Sequence, residues 1–308
     1  HYKLSKDKLW VTVHIEDQES EKIWLEKIGV DKKRISKLNE DNFWSMGDTG
    51  PCGPCSEIFY DHGDSLEGSP PEEGKDTGDR FVEIYNIVFM QFNRDIEGNL
   101  NPLPKPSVDT GMGLERISAV MQGTSDNYQT DLFIPLIKKI SELTGEKDLL
   151  NPSLRVIADH LRASCFMISD GIAIGNEGRN YVLRRIIRRA LRHAYKLNSE
   201  NFYVMSKLAT YFSDTYKELY PEIEKNNSFI EKALHEEEEK FGATLNQGMS
   251  LLDEEVKKLK GKVISGDLAF RLYDTFGFPL DMTIDFAREN NLNVDIEEYE
   301  KLMKETII

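Results

Sequence analysis

The stretch Ser107–Arg116, with the sequence S-V-D-T-G-M-G-L-E-R, carries residue types that can hold a charged ligand. It leads through two glycines into a helical pattern, and glycine lets the backbone approach a ligand closely. Asp109 lies just ahead of this predicted helix, and Arg116 lies about one turn inside it. A carboxylate and a guanidinium so placed could hold an ammonium group and a phosphate. An ordinary alternative stays open, in which Asp109 and Thr110 cap the helix and Arg116 is a surface charge.

A second candidate lies in the strand predicted upstream of this stretch. Residues Ile84–Phe92, I-Y-N-I-V-F-M-Q-F, are apolar on both faces, which is typical of a strand inside a sheet. Asn86 is the polar exception, and a buried amide needs hydrogen-bond partners. Those partners are either neighbouring backbone groups or a ligand in a cavity that the side chain faces.

A glycine- and proline-rich stretch, residues 42–63, holds four glycines and two prolines, which predicts a backbone mostly in turns and loops. Cys52 and Cys55 within it have the C-x-x-C spacing of half a zinc site or a redox pair. A structural zinc needs four ligands. His62 offers a third, but the chain has only three cysteines and therefore no second pair. We expect a packed turn with reduced thiols.

A basic stripe follows one predicted helix, Asn180–Leu197. Six arginines and one lysine lie between Asn176 and Lys196 against a single acid, in a chain whose net charge is −15. Like charges at i+4 oppose helix formation, so the stripe indicates an anionic partner, although internal pairing with acids of the chain is the alternative. The arginine stripe comprises Arg184, Arg185, Arg188, Arg189 and Arg192. The buried face opposite it is predicted to be Val182, Ile186, Ile187 and Ala190.

Length and composition set wider limits. A chain of 308 residues predicts about two domains. No apolar run approaches the roughly 18 residues of a membrane span, and no secretory segment opens the chain. The few cysteines suit a reducing compartment, so we expect a cytoplasmic protein. Because the sequence begins at His1 without a methionine and ends in a helical pattern, we expect an internal piece of a longer protein.

The order of the predicted elements divides the chain. Strand patterns end before Gly123, and a boundary near Gly123–Thr130 separates a first domain, 1–125, from a second, 126–308. The glycine in Y-D-T-F-G-F-P, Tyr273–Pro279, predicts a turn between two helical segments. The second domain begins with five helical patterns: Asp131–Leu143, Ser153–Ser169, Asn180–Leu197, Phe202–Leu219 and Ser228–Lys260.

Together these segments resemble the alanyl-tRNA synthetases, a family of class II aminoacyl-tRNA synthetases, over nearly the whole chain. The matching segments are F-W-S-M-G-D-T-G-P-C-G-P-C-S-E-I-F-Y-D-H-G, Y-N-I-V-F-M-Q-F-N-R, P-L-P-K-P-S-V-D-T-G-M-G-L-E-R, R-V-I-A-D-H-L-R, G-N-E-G-R-N-Y-V-L-R-R-I-I-R-R-A and F-R-L-Y-D-T-F-G-F-P. The resemblance implies an α+β fold. Residues 1–125 would be the C-terminal part of the catalytic domain, an antiparallel sheet flanked by helices, and 126–308 an all-helical tRNA-recognition domain.

The resemblance also implies a reaction. The family activates alanine with ATP, bound with Mg²⁺, to alanyl-adenylate and transfers alanine to the acceptor stem of tRNA(Ala). The family's first two class II motifs are not in this sequence, so we expect the chain to be inactive alone. A tRNA-binding module without catalysis is the alternative function. No residue is expected to act as a catalytic acid or base, and a zinc ion, possible in a longer protein, has no support in these residues.

Site residues carry over from the family one by one. Asp109 would hold the ammonium group of alanine and Asn86 its carboxylate, with Trp44, Val88 and Gly111 lining the pocket. Arg116 would hold the terminal phosphate of ATP.

The tRNA residues carry over in the same way. Asn176 and Asp274 would recognise a G·U pair of the acceptor stem, while the arginine stripe would follow the RNA backbone; the alternative is that Asn176 and Asp274 only cap helices. One departure is Asn180, where the family usually has glycine, and it puts the local backbone geometry in question.

Overall fold

The computed structural model describes residues 2–306, and the chain forms two compact units, His1–Phe133 and Ile134–Ile308. The first unit contains a six-stranded sheet and the second consists almost wholly of helices. The predicted α+β class is therefore confirmed. The assignment of 1–125 to catalysis and 126–308 to tRNA recognition stays a prediction.

The sheet of the first unit has the strand order β2-β1-β4-β5-β6, with β3 paired to β4. Its pairs are antiparallel except β1 with β2, which is parallel. As predicted, Ile84–Phe92 belongs to an inner strand, because β5 has a neighbour on each side. The strands are β1 (Leu9–His14), β2 (Ile35–Leu38), β3 (Phe43–Ser45), β4 (Gly50–Asp61), β5 (Phe81–Arg94) and β6 (Leu100–Met112).

The glycine- and proline-rich stretch was predicted as turn and loop, and this prediction is wrong for β4. A Cβ added at Gly53 would lie 2.0 Å from the carbonyl oxygen of Phe89, so glycine is needed for β5 to come this close. The register shifts between Cys52 and Cys55, which places Pro54 at an irregularity where a missing N–H is tolerated.

Apart from short 3-10 helices, two helices complete the described part of the first unit. The helix α1 (Gln18–Lys22) continues as a π-helical segment to Ile28 and ends at Gly29, whose φ is 76°. The helix α2 (Leu114–Gln122) begins after Gly113, which is its N-cap. Asp109 lies on β6 instead, so the alternative that it caps the helix is wrong.

The second unit contains eight helices within the described residues. They are α3 (Ile134–Thr144), α4 (Pro152–Ser169), α5 (Gly178–Leu197), α6 (Met205–Tyr216), α7 (Pro221–Lys258), α8 (Gly266–Phe276), α9 (Leu280–Glu289) and α10 (Ile296–Thr306). A short parallel pair, β7 (Val263–Ile264) with β8 (Asn293–Val294), departs from the all-helical prediction. No helix in the described part of the chain is long and apolar enough to cross a membrane.

The buried face of α5 differs in part from the prediction. Val182 is 38% exposed and Ile186 is half-buried, while Ile187 and Ala190 are buried as predicted. The apolar residues of the buried face follow helical spacing at Leu183, Ile187, Ala190 and Ala194, and Leu191 lies beside Ala190.

Two further expectations on backbone conformation need correction. Asn180 lies inside α5 with no positive φ, so the question of a left-handed backbone does not arise there. Asp274, predicted in a turn, lies in the last turn of α8; the turn follows at Gly277, whose φ is 70°.

Candidate functional site

Two neighbouring cross-strand pairs bring four of the predicted alanine-site residues together. Asn86 on β5 lies opposite Gly111 on β6, and Val88 lies opposite Asp109. Residues two apart in a strand, and residues paired across strands, share one face of a sheet. We call this face, which carries Asn86, Val88, Asp109 and Gly111, the site face.

The site face has room for a small ligand at its β6 edge. A Cβ added at Gly111 would meet nothing within 4 Å, so the space opposite Asn86 is open. Asp109 is exposed, and one of its carboxylate oxygens accepts the N–H of Thr110 at 2.9 Å. The other oxygen can therefore take a cationic partner.

The remaining predicted alanine residue, Trp44, is on a different strand. It lies on β3 opposite Gly53, and β3 pairs with β4 alone among the described strands. The structure thus groups Asn86, Val88, Asp109 and Gly111 by direct pairing, whereas Trp44 lies two strands away from β5.

A carboxyl group on β4, which sequence reasoning missed, stands beside Asn86. Glu57 is the cross-strand partner of both Asn86 and Thr12. Its Oε1 accepts a hydrogen bond from Nδ2 of Asn86 at 3.2 Å, and its Oε2 accepts one from Oγ1 of Thr12 at 3.3 Å. Asn42 donates Nδ2 to Thr12 Oγ1 at 2.9 Å and extends the network. Had this stretch been predicted as a strand, a carboxyl group between two neighbouring strands would have indicated a candidate site.

The environment of Glu57 changes its acidity. Burial, and next the negative charge of Glu83, raise the pKa of Glu57 to about 7, although the hydrogen bond from Thr12 opposes this. The carboxyl group therefore exists in both protonation states near neutral pH. Strongly perturbed carboxyl groups of this kind concentrate at functional sites.

Within the described part of the chain, only one end of the Asn86 side-chain amide has a hydrogen-bond partner. Its Nδ2 is bound by Glu57, but its Oδ1 is buried and has no hydrogen-bond partner among the described residues. A buried polar atom left in this way costs about 1–3 kcal/mol. Its persistence in a structured strand is typical of a group that awaits a partner.

Arg116, the predicted phosphate ligand, reaches the same part of the sheet. Its Nη1 donates to the carbonyl oxygen of Glu83 at 2.9 Å and lies 3.2 Å from the Glu83 carboxylate. Packing of Ile117 and Val120 of α2 against Ile84 of β5 holds the helix there. The Arg116 side chain is 45% exposed, so its pairing with Glu83 can be exchanged for a stronger anion.

The C-x-x-C cysteines are packed inside β4. Cys52 and Cys55 are both free and buried, in a strand rather than the predicted turn. Burial is the main cause that raises the pKa of Cys55 to about 12, so this thiol stays protonated and unreactive. Within residues 2–306, no group of three or more histidine, cysteine, aspartate or glutamate side chains could hold a metal ion.

In the second unit, every member of the arginine stripe has an acidic partner. Arg185 and Arg189 lie near Asp281, and Arg189 also pairs with Asp285. Arg192 is 2% exposed and pairs with Glu289 at 2.8 Å. Internal pairing, the alternative left open by the sequence, therefore holds in this structure, and contact with an RNA backbone stays a prediction.

The segments that carry Asn176 and Asp274 are joined through one buried acid. Glu237 on α7 lies 3.3 Å from Nε of Arg184 and 2.7 Å from Nε of Arg188. Arg184 donates to Oδ1 of Asn176, and Arg188 donates to the carbonyl oxygen of Gly277, three residues after Asp274. Both Asn176 and Asp274 are exposed. The Arg184–Glu237–Arg188 bridge thus links Asn176 to the backbone three residues after Asp274.

Comparisons with known proteins show which family the chain resembles. A family model described as tRNA synthetases class II (A) matches residues 1–307. Similar curated proteins are named alanine–tRNA ligase: that of Hydrogenovibrio crunogenus is 57% identical over 98% of this chain and 35% of its own length. The protein of Psychromonas ingrahamii is 56% identical over 98% of this chain and 35% of its own length. The protein of Legionella pneumophila (strain Corby) is 54% identical over 97% of this chain and 35% of its own length.

The chain thus spans about a third of the length of these relatives. The family model covers nearly every residue, and the six-stranded sheet with its helices is consistent with a fragment of a class II synthetase. The chain belongs to the class II tRNA synthetase family.

Proposed function

We propose that the chain carries the alanine site and the tRNA-recognition unit of an alanine–tRNA ligase that works in the cytoplasm. The observation that carries this proposal is the adjacent pairing of Asn86 with Gly111 and Val88 with Asp109, which assembles an amide, an acid and open space. The name of its relatives supports the choice of alanine.

Alanine is a small zwitterion, and the site face offers a group for each end. The Asp109 carboxylate takes the ammonium group through a charge-assisted hydrogen bond. The Asn86 amide takes the carboxylate. The methyl group lies against Val88 in the space left open by Gly111, and the Trp44 ring forms a further wall.

ATP, bound with Mg²⁺, is the second substrate of the proposed reaction. Arg116 exchanges its exposed pairing with Glu83 for the terminal phosphate, which carries more charge and accepts two hydrogen bonds from a guanidinium. The alanine carboxylate then attacks the α-phosphorus and pyrophosphate leaves. Positioning and charge stabilisation suffice for this step, so no side chain need accept a proton.

The second step transfers alanine to tRNA(Ala). A terminal ribose hydroxyl attacks the carbonyl carbon of alanyl-adenylate, and AMP leaves. Asn176 and Asp274 read the guanine amino group that a G·U pair exposes in the shallow groove of the acceptor stem. Within the arginine stripe, Arg185 is best placed for phosphate contact, since its side chain is 45% exposed whereas Arg192 is buried.

The test is ATP–pyrophosphate exchange, followed by tRNA charging, with the full-length protein. We expect exchange to depend on alanine and charging to favour acceptor stems with G·U over G·C. The 308-residue chain alone should bind the stem without exchange, because the ATP-holding residues of the first two class II motifs are not in it. A full-length protein that binds tRNA but exchanges with no amino acid would establish the alternative, a binding module without catalysis.

A further inference from the structure

We propose that Glu57 is a positioning residue, which in its neutral form turns the Asn86 amide so that its N–H groups face the carboxylate of the substrate. This inference rests on the proposed function, because it concerns the binding of an α-amino acid at Asn86. Glu57 does not contact the substrate itself and acts on it through the Asn86 side chain.

The first observation is the orientation of the Asn86 amide. With an ionised carboxylate beside it, Asn86 must donate Nδ2 to Glu57, since a carboxylate can only accept. Oδ1 is then the buried end without a partner. A carbonyl oxygen repels a carboxylate, so this orientation is the wrong one for the substrate.

Protonation of Glu57 removes this conflict. A neutral carboxyl group has one O–H, which can donate to Oδ1 of Asn86 and satisfy the unpaired acceptor. Both N–H bonds of Nδ2 are then free for the substrate. The same proton also removes a negative charge that would stand near the bound carboxylate. The orientation of the Asn86 amide and the loss of the negative charge therefore both favour substrate binding when Glu57 is neutral.

The groups that face Glu57 come from three strands and the segment before β3. They are Thr12 of β1, Asp41 before β3, Cys55 of β4, and Glu83 and Asn86 of β5; Asn42 lies behind them and donates to Thr12 and Cys55. Among them the charged groups are the acids Glu83 and Asp41, and both raise the pKa of Glu57. Thr12, Asn42 and Cys55 contribute only neutral dipoles while the thiol stays protonated.

A coupling between the two substrates follows from Arg116. This guanidinium offsets the charge of Glu83 as long as the two are paired. When Arg116 turns to the phosphate of ATP, Glu83 stands alone and favours the neutral form of Glu57 more strongly. ATP binding thus prepares the amide for alanine, and the coupling is reciprocal.

The experiment measures kcat and KM for alanine in ATP–pyrophosphate exchange between pH 6.0 and 8.5, with the full-length protein. Glu57→Gln is the decisive variant, because its amide N–H can donate to Asn86 Oδ1 at every pH. We expect the wild-type KM to rise above pH 7 and the variant KM to stay level. At pH 8.5 the variant should bind alanine up to roughly thirty-fold better, since a pKa of about 7 leaves about 3% of Glu57 neutral.

Two controls separate positioning from other roles. Glu97→Gln removes one charge from the exposed β5–β6 turn and should keep the wild-type profile. In an Asn86→Ala background, Glu57→Gln should change neither KM nor its pH dependence, because the effect acts through Asn86.

Three results would overturn the inference. Glu57→Gln that weakens alanine binding at every pH would mean that ionised Glu57 contacts the ammonium group. A Glu57→Gln profile equal to that of the wild type would mean that Glu57 has no influence on binding. An effect that persists in the Asn86→Ala background would exclude action through the amide. Wild-type protein without any alanine-dependent exchange would instead overturn the proposed function, and this inference with it.

Discussion

Replacement of Glu237 by glutamine tests the Arg184–Glu237–Arg188 bridge, which links Asn176 to the backbone at Gly277. The Glu237 side chain is 2% exposed and lies between the side chains of Arg184 and Arg188, which are 18% and 16% exposed. Glu237→Gln keeps the shape of the side chain but leaves both cations without their counter-charge. Breaking a buried pair in this way costs about 3–5 kcal/mol. We expect Glu237→Gln to lower the free energy of unfolding by about 3 kcal/mol, because the glutamine amide oxygen can still accept one hydrogen bond.

The assay is urea denaturation of the 308-residue chain, followed by circular dichroism at 222 nm, which reports the helical unit. Glu236→Gln is the matched control, since its side chain is 51% exposed and lies 3.9 Å from Lys232. Loss of such a surface pair should change the free energy of unfolding by less than about 1 kcal/mol. If Glu237→Gln destabilises the unit no more than Glu236→Gln does, the bridge does not hold the unit together and the reasoning is refuted.

Three further predictions concern pH, tRNA choice and packing. Burial, and then the Arg192 charge, lower the pKa of His193 from 6.5 to about 4. The unfolded chain therefore binds this proton first, and stability should fall by about 3 kcal/mol between pH 6.5 and 4, but not in His193→Gln. Asn176→Ala or Asp274→Ala should lose about 1–3 kcal/mol of G·U over G·C preference in aminoacylation kcat/KM, by analogy with base contacts in DNA; an unchanged preference would contradict the assignment. Gly53→Ala should lower the thermal midpoint of the sheet unit sharply, because its Cβ would lie 2.0 Å from a backbone carbonyl; an unshifted midpoint would contradict it.

Periodic patterns predicted much of the fold. The apolar run Ile84–Phe92 indicated the inner strand β5. Helical spacing found α5 to within two residues of its start. These elements were predictable because their apolar side chains repeat with the period of the structure that buries them.

The strand β4 escaped prediction for a physical reason. Glycine and proline favour turns in an isolated chain. The pairing of β4 with β5 joins residues distant in sequence, so the local sequence does not encode it. The error also hid Glu57, since a carboxyl group in a loop needs no partner. Its position beside Asn86 depends on the strand register, which only the structure supplies.

The arginine stripe shows a similar limit. Its spacing was evident from the sequence, but its partners are distant in the chain. Arg188 pairs with an acid 49 residues away, and Arg189 and Arg192 pair with acids 96 and 97 residues away. Charge composition alone could not separate an internally paired stripe from one that awaits an anion.

Alanine binding at the site face is tested most directly by the effect of Asp109→Asn on the KM for alanine in ATP–pyrophosphate exchange by the full-length protein. A charge-assisted hydrogen bond contributes about 1.5–3 kcal/mol, so we predict a KM raised roughly ten- to 150-fold. Glu97→Gln, which removes a charge from the same β-hairpin, should leave KM unchanged. If Asp109→Asn retains the wild-type KM and kcat, the site face does not bind alanine and the account is contradicted.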